Sequence, residues 1–257
     1  MGSTQTDTAS DMASDAAVFA ARRLTKQFGR IPVLKEIDLE LARGRCHVLF
    51  GRNGAGKSTL LRVAATLMTP TSGELFYDGK PLDELTSSMR AKIGLVGHQS
   101  FIYADLTVRE NLEFYKSLYG TSRDVDELLE WADLALRADS PARGLSRGMQ
   151  QRLAIARALV HEPKLLLLDE PFTGLDAVAS ERLDNLLNDI KIKGRNVTVL
   201  LATHDIERGV ALADRVLLID GGRIVFDATH TDDTDDTAHL VDELRRLLLE
   251  TSSRELK

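Results

Sequence analysis

Apolar residues recur along this chain in two rhythms. Short runs with strand character lie at Val18 to Phe28, Ile37 to Leu41, Cys46 to Phe50, Gly73 to Gly79, Ile93 to Val96, Leu165 to Leu168, Val197 to Ala202 and Val216 to Phe226. They are brief and mostly closed by Gly or Asp, as buried or half-buried strands require. The first two flank a turn at Phe28-Gly29-Arg30 and predict an antiparallel sheet ahead of the main core, and the last folds on Gly221-Gly222 as a hairpin. The second rhythm has helical spacing, at Thr59 to Ala65, Asp105 to Leu118, Val125 to Leu136 and Leu153 to Leu159. No convincing strand falls between these helices before residue 164, which predicts a helical lobe at about 100–160 inserted into an α/β core.

Local signals refine that outline. Thr107 with Glu110 makes a capping box for the first helix of the lobe, and Ser146 caps a later one. Trp131 is expected to anchor the packing of the lobe. Residues 1–17, rich in Ser, Thr, Asp and Ala, are expected to be a disordered tail. Beyond 227, the acidic run Asp232 to Asp236 reads as a solvated linker to an amphipathic helix with Leu240, Val241, Leu244, Leu247 and Leu248 on one face. Whether that helix docks on the core or on a partner is left open by its pattern.

Composition changes this picture little. The chain of 257 residues is long enough for a sizeable core, and 33 basic against 39 acidic residues give a net charge of −6, so no global basic surface points to nucleic acid. The single cysteine, Cys46, has no internal disulfide partner and sits in a strand as a small buried hydrophobe. No apolar run reaches the roughly eighteen residues that cross a bilayer. The first basic residue is Arg22, preceded by Asp7, Asp11 and Asp15, so the cationic start of a signal peptide is missing and a cytoplasmic place is expected. Met1-Gly2 fits the loose myristoylation pattern, although an unstructured tail explains those residues more simply.

The chemistry concentrates at Gly51-Arg52-Asn53-Gly54-Ala55-Gly56-Lys57-Ser58-Thr59, which fits G-x-x-x-x-G-K-[ST] between a strand and a helix. Such a loop turns backbone N–H groups around a polyphosphate at the positive end of a helix dipole; Lys57 reaches the β- and γ-phosphates and the Ser58 hydroxyl takes a position on Mg²⁺. Lys164 to Glu170 is a central parallel strand ending in two acids, with Asp169 placed to hold Mg²⁺ and Glu170 to orient or deprotonate a water. His204 follows another core strand, where it is placed to sense a γ-phosphate. Gln99 lies at the mouth of the Ile93 strand, and Phe28 at the first turn, where an aromatic is placed to lie on a purine.

Taken together, these motifs resemble the nucleotide-binding subunit of ATP-binding cassette (ABC) transporters over residues 18–227. The resemblance implies a P-loop NTPase core of ABC type with an N-terminal antiparallel β subdomain and an inserted helical subdomain, and ATP with Mg²⁺ as ligands. It puts the family's phosphate loop on Gly51 to Thr59, its glutamine loop on Gln99, its signature on Leu145 to Met149, its acidic strand on Leu165 to Glu170, the following loop on Gly174-Leu175-Asp176 and its switch histidine on His204. Phe28 matches the aromatic that stacks on adenine. The resemblance further implies that Ser146 and Gly148 bind the γ-phosphate of the nucleotide held by a second, head-to-tail copy, and it counts Asp176 among the nucleotide-binding residues. Gln99 joins Ser58 and Asp169 near the metal, and an integral membrane permease holds the pair at the inner face of the membrane.

Arg147 and Met149 depart from the usual Leu-Ser-Gly-Gly-Gln, and Arg147 is expected to change the affinity of closure without removing competence. The acidic-strand and signature variants are similar to those of the haem exporter ATPase of cytochrome c maturation; exporters of drugs, lipids or polysaccharides remain alternatives. So do a soluble ABC ATPase without transport and a nucleotide-binding module that never hydrolyses, the last opposed by Glu170 and His204.

Overall fold

A computed structural model describes residues 17–84, 86–97, 100–193, 197–230 and 234–254. The expected tail before residue 17, Gln99, and Asp232 and Asp233 of the acidic run lie outside the described residues.

The chain begins with a long hairpin, β1 (Ala17–Phe28) and β2 (Ile31–Ala42), which turns at Gly29 with φ +60°. β2 starts six residues earlier than the apolar pattern predicts. Ile31 pairs with Phe28 yet is 69% exposed, and Glu36 sits at φ +51° among register shifts, so the early part of the strand lacks a clean alternation. After β3 (Cys46–Phe50) and α1 (Lys57–Ala64), β4 (Ser72–Tyr77) joins β1 and β5 (Lys80–Pro81) closes an antiparallel sheet in the order β2-β1-β4-β5.

The second sheet organises the site. α2 (Ser87–Arg90) leads to β6 (Ile93–Val96), and α3 (Val108–Tyr119), α4 (Val125–Trp131) and α5 (Arg147–Leu159) precede β7 (Leu165–Asp169). α6 (Ala177–Lys193), β8 (Thr198–Thr203), α7 (Ile206–Leu212), the hairpin β9 (Arg215–Asp220) with β10 (Arg223–Thr229), and α8 (Thr234–Arg254) complete the chain. The strand order is β10-β9-β3-β8-β7-β6, parallel except for the edge strand β10. Its central strands are apolar on both faces because both are covered. Leu49, Leu167 and Leu200 pack with Leu60 and Leu61 of α1, whereas Phe50, Leu168 and Leu201 pack with Leu183, Val210 and Leu244.

Between β6 and β7 the helices enclose a separate apolar cluster that includes Val108, Leu112, Leu128, Leu153 and Ala156. The Thr107–Glu110 capping box forms with both of its hydrogen bonds. α4 stops at Trp131 rather than Leu136, since Asp133 adopts φ +53° and Leu136 is fully exposed within a short 3₁₀ turn at Ala135–Arg137. Trp131 does more than pack within the lobe, because its indole N–H donates to Asp189 on α6 at 2.8 Å. α8 docks on the core through Leu240 and Leu244. His230 ties its beginning down: Nδ1 donates to the Ala213 carbonyl at 2.9 Å, which leaves Nε2 to accept from the Thr237 hydroxyl at 2.9 Å. Among the described residues no helix is long and apolar enough to cross a membrane.

Candidate functional site

Strand register brings the central residues together. Phe50 pairs with Thr203 and Asp169 with Ala202, so Gly51, Glu170 and His204 each emerge from the carboxyl ends of three neighbouring strands, β3, β7 and β8. Such an edge of a parallel sheet is where ligand crevices form.

The loop from 51 to 56 is held by close backbone packing. A Cβ at Gly51 would lie 2.5 Å from the Ile219 carbonyl oxygen, and one at Gly56, which has φ +115°, would lie 2.9 Å from Leu34. The Gly222 N–H donates to the Ala55 carbonyl at 3.2 Å while the Gly222 carbonyl accepts from Lys35 N–H at 2.8 Å. The β9–β10 turn therefore braces the loop against β2. Asn53 and Gly54 face solvent at its tip and Ala55 is buried behind it. Gly56 supplies no side-chain cap to α1, so the leading N–H groups of that helix are offered to whatever the loop encloses.

Lys57 is buried, and its ammonium donates to the carbonyls of Gly51 at 2.6 Å and Arg52 at 3.2 Å while lying 3.3 Å from Glu170 Oε1. The Ser58 hydroxyl donates to Asp169 Oδ1 at 3.0 Å, and Thr59 continues the helix. Glu170 sits at φ +52°, its N–H donating to the Ala202 carbonyl at 2.9 Å. Its Oε2 accepts from His204 Nδ1 at 2.7 Å, which fixes that ring's tautomer, and its buried Oε1 has no hydrogen-bond partner. One carboxylate thus spans a buried ammonium and an exposed imidazole.

The remaining sequence-predicted residues fall elsewhere. Ser146 caps α5 by accepting from Met149 N–H at 3.3 Å, Gly148 is buried in the first turn of that helix, and Asp176 accepts from Ala179 N–H at 2.7 Å. Among the described residues none of these three is hydrogen-bonded to the Lys57–Glu170 cluster. Phe28 stands 47% exposed at the end of β1, with the Lys26 ammonium 5.4 Å from its ring centroid. Gln99 cannot be placed, lying outside the described residues.

Sequence reasoning missed Arg157. It is buried, it donates to the carbonyls of Leu95 at 2.8 Å and Ser100 at 3.2 Å on either side of residues 98–99, and it lies beneath the rings of Phe101 and Tyr115. Burial pushes its guanidinium below the usual arginine range. The available signal was a lone cation inside the apolar run Leu153 to Leu159.

The donor set fits a magnesium polyphosphate: an open-tipped glycine loop, uncapped helix N–H groups, a buried ammonium, and a hydroxyl already beside a carboxylate. A cavity of about 910 Å³ between Trp131 and Ile190 contains none of these residues.

Comparison with known proteins is concordant. The ABC transporter family matches residues 34–173. The chain is 40% identical over 212 residues to a Nod factor export ATP-binding protein I of Cupriavidus pinatubonensis, covering 80% of this chain and 65% of that protein. It is 42% identical over 210 residues to an aliphatic sulfonates import ATP-binding protein of Pseudomonas syringae pv. syringae, covering 81% of this chain and 75% of the relative. Among solved structures, the dimeric post-hydrolysis state of the ATP-binding cassette MJ0796, bound to ADP and Pi, superposes with a TM-score of 0.74 at 29% identity, covering 84% of this chain and all of that one.

Proposed function

This chain belongs to the ABC transporter family, and we propose that it is the ATP-hydrolysing subunit of a transporter whose membrane-spanning part is a separate chain. The observation that carries this reading is the carboxylate of Glu170, held between Lys57 and His204 one residue beyond Asp169. Lys57 is turned onto two loop carbonyls and Glu170; a γ-phosphate is a stronger partner, and its arrival takes the ammonium and frees Oε1 to orient and deprotonate a water. His204 is tied through Nδ1 to Glu170, and a hydrogen bond from its Nε2 to the phosphate requires the ring to carry a proton on both nitrogens. Ser58 and Asp169, with Gln99 as the resemblance implies, would hold Mg²⁺, which would supply charge neutralisation on the phosphates. Phe28 stacks on the adenine, and the loop N–H groups of Gly51 to Thr59 hold the phosphates.

Ser146, Gly148 and Asp176 complete the site of a second copy, so two head-to-tail chains enclose two nucleotides. Hydrolysis reopens the pair and moves the permease, through Gln99 and the helical lobe at about 100–160 of the 18–227 ATPase domain. An exposed aromatic group supports such docking: Phe101, Tyr103 and Phe114 are each more than 40% exposed, with the Tyr103 and Phe114 rings 5.0 Å apart. The chain is then cytoplasmic and peripheral on the inner face of the membrane.

For the cargo we propose haem export of the cytochrome c maturation type, on the motif similarity around Leu145 to Met149 and Asp169 to Asp176. Affinity purification from gently solubilised membranes tests both levels. Recovery of an integral membrane protein is expected, with a haem-handling partner among the products. Soluble partners alone, beside an intact control transporter, would overturn the transport reading, and a permease of another cargo class would overturn the haem assignment.

A further inference from the structure

The first turn of α5 touches the start of α6 at one point and the loop after β7 at another. A Cβ at Gly148 would lie 2.6 Å from the Ala179 Cβ, so the two backbones meet without a spacer. Gly174 has φ +74°, and the place a Cβ would take is filled by the Arg147 guanidinium, with Cζ 2.6 Å and Nε 2.9 Å away. Arg147 is exposed and has no acidic partner among the described residues. A cation in the first turn of a helix also opposes the helix dipole. Neither charge pairing nor the dipole accounts for its position, but shape does: a flat guanidinium lies on a bare stretch of backbone.

Gly174 belongs to a tight segment that starts at the proposed base. The Thr173 N–H donates to the Glu170 carbonyl at 3.2 Å and the Leu175 N–H to the Phe172 carbonyl at 3.1 Å, and Asp176 then caps α6. Displacement of Gly174 is therefore passed through two linked turns to Glu170. We propose that Arg147 is a positioning residue for residues 170–176: it seats Gly174 against α5, couples the helical lobe to the aim of the Glu170 carboxylate, and forms a matched pair with a glycine whose φ of +74° already disfavours any side chain. The proposal rests on the reading of Glu170 as base.

Steady-state ATP hydrolysis by the full chain tests it, using R147A, G174A, the double variant, R147K and, in parallel, E170Q. A residue that acts only by aiming the base lowers kcat by about tenfold or more and leaves KM for ATP within about twofold, which is expected of R147A and of G174A; a rise in KM in R147A with kcat kept would mean that Arg147 acts through its neighbours Ser146 and Gly148 instead and would overturn the proposal. The double variant is expected within about twofold of the worse single, since methyl and guanidinium compete for one space. R147K, which lacks the planar fork, is expected to match R147A. Losses in the double that multiply those of the singles, or a wild-type rate in R147K, would overturn the proposal. If G174A does not fold, R147A against R147K carries the test. Wild-type kcat in R147A alongside an inactive E170Q sinks the positioning role alone; an active E170Q sinks the base assignment, and this inference with it.

Discussion

Two groups of candidate site residues are built on opposite terms. At the strand ends, Lys57, Ser58, Asp169, Glu170 and His204 satisfy one another: ammonium to carboxylate, hydroxyl to carboxylate, imidazole to carboxylate. Ser146, at the start of α5, and Asp176, at the start of α6, spend their side chains on capping those helices and show the rest of themselves to solvent. The first group pairs its polar side chains with one another, and a ligand has to outcompete those internal partners. The second has helix N–H groups, two caps and the exposed Arg147, and among the described residues none of its side chains is hydrogen-bonded to the first group.

The sharpest way to break that contrast is to remove the base. E170Q keeps the shape and deletes the charge, and we expect turnover to fall by about a hundredfold or more while ATP affinity is retained, as a binding titration beside a phosphate-release assay would report. Near-normal turnover would mean the carboxylate serves only to park Lys57. Next comes mixing. K57A disables the strand-end group and S146R the α5 group, so each variant alone is expected to be inactive. A mixture should regain a measurable fraction of the rate, because the mixed pair contains one site with both halves intact. No recovery despite mixed dimers would show that both groups serve the same chain.

A smaller effect contrasts two histidines. His204 is exposed at the site, whereas His47 is buried at the start of β3, with Nε2 donating to the Ala42 carbonyl at 3.3 Å and Nδ1 unpartnered. Burial lowers the His47 pKa from 6.5 to about 4. The folded state therefore resists a proton that the unfolded chain accepts, so stability is complete above pH 6.5 and is lost as pH falls towards 4, by roughly 3 kcal/mol. Burial also lowers His161 to about 4, which adds a loss of the same sign. Urea midpoints across that window should fall less in H47Q than in the parent; identical slopes would remove His47 from the account.

Much of the fold was legible because parallel strands covered on both faces must be apolar throughout, and Leu165 to Leu168 or Val197 to Ala202 have few other uses. The phosphate loop was legible because a fixed spacing of glycine, lysine and hydroxyl does a fixed job. What escaped depends on contacts distant in sequence. The early residues of β2 pair with β1 through bulges, the break after Trp131 hangs on one left-handed residue at Asp133, and Arg157 finds its carbonyl partners some sixty residues away. The docking of α8 was undecidable from periodicity, since an amphipathic helix presents the same face to its own core and to a stranger.

The brace behind the phosphate loop sets a limit on how this chain can be altered. Surface hairpin turns ordinarily accept insertions, and Gly221-Gly222 looks like such a place. Yet Gly222 is hydrogen-bonded on one side to Ala55 and on the other to Lys35, and a Cβ there would lie 2.3 Å from the Val33 carbonyl oxygen. A tag, a fluorescent reporter or a lengthened loop grafted at this turn would wedge the ligand cradle away from the first sheet, so the most inviting insertion point on the second sheet is also among the least permissive.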